Sequence, residues 1–111
     1  MNKENTEKLL NKFPLLYEDL DWGFECGDGW FQLIWDLSLK LEGERCKAVQ
    51  VKEKFGGLRF YTDYLSEKGW DYVCDAEEES YNICELCGKP GVLRKGGWMR
   101  TLCKDCNDTK V

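Results

Sequence analysis

Two Cys-x-x-Cys pairs, Cys84-Glu85-Leu86-Cys87 and Cys103-Lys104-Asp105-Cys106, constrain this chain more than any other feature. Thiolates two residues apart can grip the same ion, and Gly88 directly after the first pair permits the tight turn of a zinc knuckle. Fifteen residues separate the pairs, a spacing typical of four-thiolate sites. Between them, residues 92–95 and 98–102 read as a hairpin across Gly96-Gly97 that returns the second pair to the first. We read one tetrahedral Zn2+ held by Cys84, Cys87, Cys103 and Cys106, with a redox pair or an iron–sulfur centre as the competing uses. Four protein ligands close the coordination sphere, so the ion is expected to be structural and to contribute folding energy.

Such a brace is physically useful here. The chain has 111 residues, about one domain, and a domain of this size buries a limited share of its surface. No apolar run approaches the roughly 18 residues of a membrane span, and the polar, charged start of the chain does not read as an export signal. A cytoplasmic protein with reduced thiols is the expectation. Cys26, Cys46 and Cys74, outside the two pairs, then read as small buried apolar residues.

Charge is uneven. Residues 1–82 carry 10 Lys/Arg against 18 Asp/Glu, a net −8, whereas residues 83–111 carry six against three, a net +3. The first part should repel nucleic acid and attract basic partners; the second should attract phosphate weakly. The chain contains no histidine, which removes the commonest general base and the usual catalytic triads and dyads. Its glycine turns lack the lysine and hydroxyl of a phosphate loop. No enzyme is expected.

Hydrophobic periodicity organises the body. Leu9, Leu10 and Phe13 form a short helical edge ended by Pro14, and Leu15, Leu16, Tyr17 and Leu20 follow as core or cover. After Gly27-Asp28-Gly29, with Asp28 as a candidate N-cap, a helix is predicted over 29–42. Its rows Trp30, Leu33, Ile34, Leu37, Leu41 and Phe31, Trp35, Leu39 leave only Gln32, Asp36 and Lys40 as a polar stripe. That apolar face is wider than one contact needs, so Phe31, Trp35 and Leu39 are candidate partner-binding residues if core packing does not absorb them. Residues 46–55 alternate as a strand, and Gly56-Gly57 predicts a two-residue hairpin turn. This pairs Phe55 with Leu58, Val51 with Thr62, Val49 with Tyr64, Lys54 with Arg59 and Lys52 with Tyr61. A second helix is predicted over 67–82, with Trp70, Val73, Ala76 and Ile83 as its apolar row, interrupted by Ser80.

The fold class is therefore α+β. A small helix–β-hairpin–helix body, residues 1–82, carries a C-terminal four-cysteine zinc-ribbon or truncated treble-clef module, residues 83–111, docked on it as one folding unit. Gly27-Asp28-Gly29-Trp30, the run Val51-Lys52-Glu53-Lys54-Phe55-Gly56-Gly57-Leu58-Arg59-Phe60-Tyr61, and the zinc segment with Gly97-Trp98 and Thr101-Leu102-Cys103 resemble a family of small phage and prophage proteins. The resemblance covers residues 13–107 and implies a context, not a mechanism: accessory phage proteins often bind and inhibit host factors, including antiviral defence proteins. The finger alone resembles zinc-ribbon and treble-clef modules, but the few residues after Cys106 are too short for the long terminal helix of a full treble clef.

The leading expectation is a non-enzymatic, zinc-stabilised protein-binding module, a phage-encoded inhibitor or adaptor acting on a host protein in the host cytoplasm. The alternative is a nucleic-acid-binding zinc-ribbon protein that uses Lys52, Lys54, Arg59, Arg94, Lys95, Trp98 and Arg100. In that reading Tyr61 and Trp98 stack on unpaired bases. A purely structural subunit of an assembly is the third reading. The oligomeric state is left open by the sequence.

Overall fold

A computed structural model describes residues 1–109. Helix α1 (Lys3–Lys12) is capped by Asn2, whose side chain accepts the Asn5 amide at 2.8 Å. The helix ends before Pro14 and drops Leu9 and Phe13 into the core. Helix α2 (Phe31–Leu41) follows a 3-10 turn over Asp28–Trp30. It is the central helix, with Trp30, Leu33, Ile34, Leu37 and Leu41 all buried. Ser38 is buried among them and donates to the Ile34 carbonyl at 2.7 Å. The Tyr17 hydroxyl, 2.5 Å from Ser38 Oγ, is therefore the donor in that pair, and no buried hydroxyl among the described residues is left unsatisfied.

Strands β1 (Phe24–Glu25), β2 (Ala48–Lys54) and β3 (Gly57–Thr62) form one sheet in that order. The predicted hairpin is β2–β3, and its register differs from the expected one. Lys54 opposes Gly57, Glu53 opposes Leu58, Lys52 opposes Arg59 and Val51 opposes Phe60, with an irregularity at Val49. The turn is Phe55-Gly56, not Gly56-Gly57, with φ of 54° and 86°. Positive values at both central residues define a type I′ turn. Gly57 is consumed elsewhere: a Cβ there would strike the Tyr81 ring. Packing, not turn geometry, demands that glycine. The difference amounts to sliding one strand two residues along the other, which keeps each side chain on its face. Leu58 and Phe60 still point inward, but Val49, Phe55 and Tyr64 are exposed instead of paired on the core face. Strand β1, which the sequence did not show, pairs parallel to β2, with Phe24 opposite Val51.

Helix α3 (Glu67–Glu79) starts at Ser66, whose hydroxyl accepts the Gly69 amide, and passes into a 3-10 turn over Ser80–Asn82. Its buried row is Gly69, Val73, Ala76 and Ser80, one face of a helix. Trp70 lies off that row and is exposed, contrary to expectation. Ser80 does not interrupt the row. It accepts the Leu58 amide at 2.9 Å and donates to the Glu77 carbonyl, so a buried polar group ties α3 to β3. Cys26 and Cys46 are buried as predicted; Cys74 is half-buried, on the flank of α3. No helix of the described residues is long and apolar enough to cross a membrane.

Candidate metal centre

The first cysteine pair follows α3 directly and lies on a knuckle. Gly88, at φ 84°, closes it by donating its amide to the Cys84 carbonyl at 2.9 Å. Strands β4 (Val92–Arg94) and β5 (Arg100–Leu102) form the predicted hairpin, in which Arg94 opposes Arg100. The second pair sits at the start of helix α4 (Lys104–Thr109), where the Cys106 amide points at Cys103 Sγ, 3.4 Å away. Knuckle, hairpin and helix start follow one another in that order and bring the two cysteine pairs together.

All four sulfur atoms lie within 4.8 Å of one another, and Cys87 and Cys103 are 3.6 Å apart. A tetrahedral ion with metal–sulfur bonds of about 2.3 Å needs sulfur–sulfur edges of about 3.8 Å, so the four cysteines are placed to hold one metal ion. Their protonation behaviour has the same cause. Burial opposes the Cys84 thiolate, but the amides of Cys103, Cys87 and Leu86 outweigh it and bring this thiol down to about 6. Cys106, facing the Cys103 sulfur and then desolvated, is pushed up to about 12. One negative sulfur in the cluster makes the next one costly until a cation is present.

The module is bound to the body by its own first pair. Glu85, buried between Cys84 and Leu86, accepts the Gly27 amide on Oε2 at 2.8 Å and pairs with Arg100 through Oε1 at 3.3 Å. Its carbonyl accepts the Gly29 amide at 2.7 Å. These amides belong to the entry of α2, whose first turn lacks a side-chain cap of its own. Asp28, the predicted N-cap, instead accepts Asn2 N and Asn5 Nδ2 from α1. The fully buried Trp30 adds an indole hydrogen bond to the Ile83 carbonyl at 2.9 Å. A Cβ at Gly29 would fall on the Cys84 carbonyl oxygen, so helix and knuckle meet backbone to backbone.

The candidate partner row divides. Trp35 packs edge-on against Phe13, ring centroids 5.2 Å apart, and Phe31 leans on Trp35 at 5.7 Å. Both are half-buried against the core, and Leu39 is 45% exposed. Phe31 also lines a groove between α2, α3 and the first cysteine pair. Leu37, Ala76 and Ile83 line it too, and Asp28, Asp36, Asp75 and Glu79 stand around it against the single cation Lys40.

The candidate basic residues divide as well. Arg100 is paired with Glu85, Arg94 donates to the Leu102 carbonyl, and Arg59 donates to the Leu58 carbonyl and the Tyr81 hydroxyl. Lys52, Lys54 and Lys95 make no ion pair among the described residues. Trp98 is 74% exposed and shares a shallow cleft with Phe55, which is 62% exposed. Phe55, Glu85 and Thr101 had no site role in the sequence, where they read only as hairpin and knuckle positions. Phe55 holds a left-handed backbone at a cost of about 1–2 kcal/mol while gaining little burial. An aromatic residue directly before Gly-Gly was the available signal. No family model, curated protein or solved structure matches this chain.

Proposed function

We propose that this chain is a non-enzymatic protein-binding module braced by one structural zinc ion. Its binding site is the groove between α2, α3 and the first cysteine pair. The observation that carries this reading is the groove itself: a mixed lining in which apolar groups such as Phe31 and Ile83 alternate with polar ones, among them four carboxylates and one lysine. A partner segment presenting apolar side chains flanked by Lys or Arg complements it in both shape and charge. Zinc is the ion preferred by four thiolates in a tetrahedral arrangement, and four protein ligands leave no site for a reacting water. The lack of histidine supports a role without catalysis. The resemblance to small phage proteins adds the context of an inhibitor or adaptor that engages a host protein, a defence factor among the candidates, in the host cytoplasm.

The test is affinity purification from cells carrying the gene, with native protein and the double variant Asp36→Lys/Asp75→Lys compared side by side. The expected result is one retained protein that the double variant releases although its fold and zinc content are unchanged. Retention of no protein, or equal retention by the variant, overturns the groove assignment.

A further inference from the structure

The cleft between the two hairpin tips has a different chemistry from the acidic groove. One wall is the β2–β3 turn with Phe55; the other is the β4–β5 tip with Gly96, Gly97, Trp98 and Met99. Phe55 at φ 54° is a bulky residue in a backbone state that favours Asn and Gly, and its ring is left in solvent. Core packing does not account for this choice, and strain of this kind concentrates at functional sites. Cations stand over one face of the rings: Lys54 Nζ is 5.5 Å from the Phe55 centroid, and Lys52 Nζ is 6.0 Å from that of Tyr61, itself exposed. Lys95 adds an exposed charge at the other tip. The one carboxylate in the cleft, Glu53, is held at the Gly56 amide at 2.8 Å.

We infer that this cleft binds a short stretch of single-stranded nucleic acid, with bases stacked on Phe55 and Trp98 and phosphates near Lys54, Lys95 and Lys52. Exposed π-faces with unpaired lysines beside them complement unstacked bases on a charged backbone. Stacking and phosphate contacts do not distinguish the two sugars, so the site is expected to accept ribose and deoxyribose alike. The inference does not rest on the acidic groove, and either can fail without the other.

Fluorescence anisotropy of the intact, zinc-loaded chain tests it, with short fluorescein-labelled oligothymidylate, oligouridylate and a duplex of the same length. Both single strands should bind comparably and the duplex more weakly. Contact with three phosphates gives a slope of log affinity against log salt of roughly −2, and Lys54→Ala should make it shallower by about 0.7. Trp98→Ala and Phe55→Asn should each weaken binding about ten-fold or more. Asn suits the type I′ turn, so Phe55→Asn should also raise the melting temperature, which separates loss of a contact from loss of the fold. The inference is overturned by absence of binding at low salt, by equal affinity for the duplex, or by affinity unchanged in both aromatic variants. Release of a protein partner by those variants, with no oligonucleotide bound, overturns it as well.

Discussion

Thr101 donates its side-chain hydroxyl to the Gly56 carbonyl at 2.7 Å, joining strand β5 of the metal module to the turn between β2 and β3. Thr101 is fully buried. Beside it, Leu93 reaches Gly56 so closely that a Cβ at Gly56 would collide with its Cδ1. Thr101 also accepts the Glu85 amide on its carbonyl at 3.0 Å. One residue thus connects the cysteine knuckle, the β4–β5 hairpin and the turn that presents Phe55. The metal site and the exposed aromatic tip are parts of one rigid construction.

Replacing Thr101 with Val keeps the volume but removes the donor and leaves the Gly56 carbonyl unpaired in a buried place. Denaturant unfolding should show a loss of about 1–3 kcal/mol with metal content unchanged. A change under a few tenths would mean that water takes over the bond.

Metal removal should weaken more than the last quarter of the chain, because Glu85 supplies hydrogen-bond acceptors to the entry of α2. Chelation, or Cys103→Ser, is expected to lower the melting temperature of the whole protein and to broaden the Trp30 environment seen by fluorescence. Elemental analysis of native protein should give about one zinc per chain. A body that melts unchanged without metal would show that the module is only tethered.

The two glycines Gly57 and Gly43 should respond oppositely to alanine. At Gly57 the new methyl group meets the Tyr81 ring, and a loss of about 1–3 kcal/mol is expected from overpacking. At Gly43 nothing lies within 4 Å and φ is not in the left-handed region. There alanine should be neutral or stabilise by up to about 1 kcal/mol. Equal effects in calorimetry would contradict the observed register.

Alkaline pH should destabilise the fold. Burial, and then the nearby Glu85 carboxylate, pushes the Cys26 thiol up to about 12. Burial also raises the Tyr17 hydroxyl. In each case the folded chain keeps a proton that the unfolded chain releases. The stability from Cys26 is therefore complete below about pH 8.5 and is lost as pH rises toward the folded value. Unfolding midpoints should hold to about pH 8 and fall beyond it, with a gentler fall in Cys26→Ala. A midpoint that rises between those limits would reverse the assignment.

Much of this architecture was readable from residues close together in the chain. The four cysteines announce their site because two intervening residues let both thiolates of a pair reach one point, and the second pair repeats the spacing. Helices α2 and α3 emerge within a few residues of their predicted limits because buried residues recur every three to four positions. Phase within α3 was less legible: Gly69 and Ser80 lack the bulk that marks a buried face, and Trp70 drew attention to the wrong one. The hairpin was visible but its register was not. Two adjacent two-residue turns were available around Gly56, and Tyr81 chose between them by packing on Gly57. Asp28 had the right chemistry for a cap, but the knuckle had already satisfied those amides.

By itself, then, the sequence determined the four-cysteine pattern, the α+β order of elements and the split between an acidic body and a basic finger. These depend on spacing, periodicity and composition, which act over a few residues or not at all on position. Tertiary structure alone decided that β1 joins the sheet, that Glu85 and Thr101 anchor the finger, and that Phe55 stands exposed beside Trp98. Those outcomes depend on hydrogen bonds and contacts between segments far apart in the chain, and their partners are set only when the whole core packs.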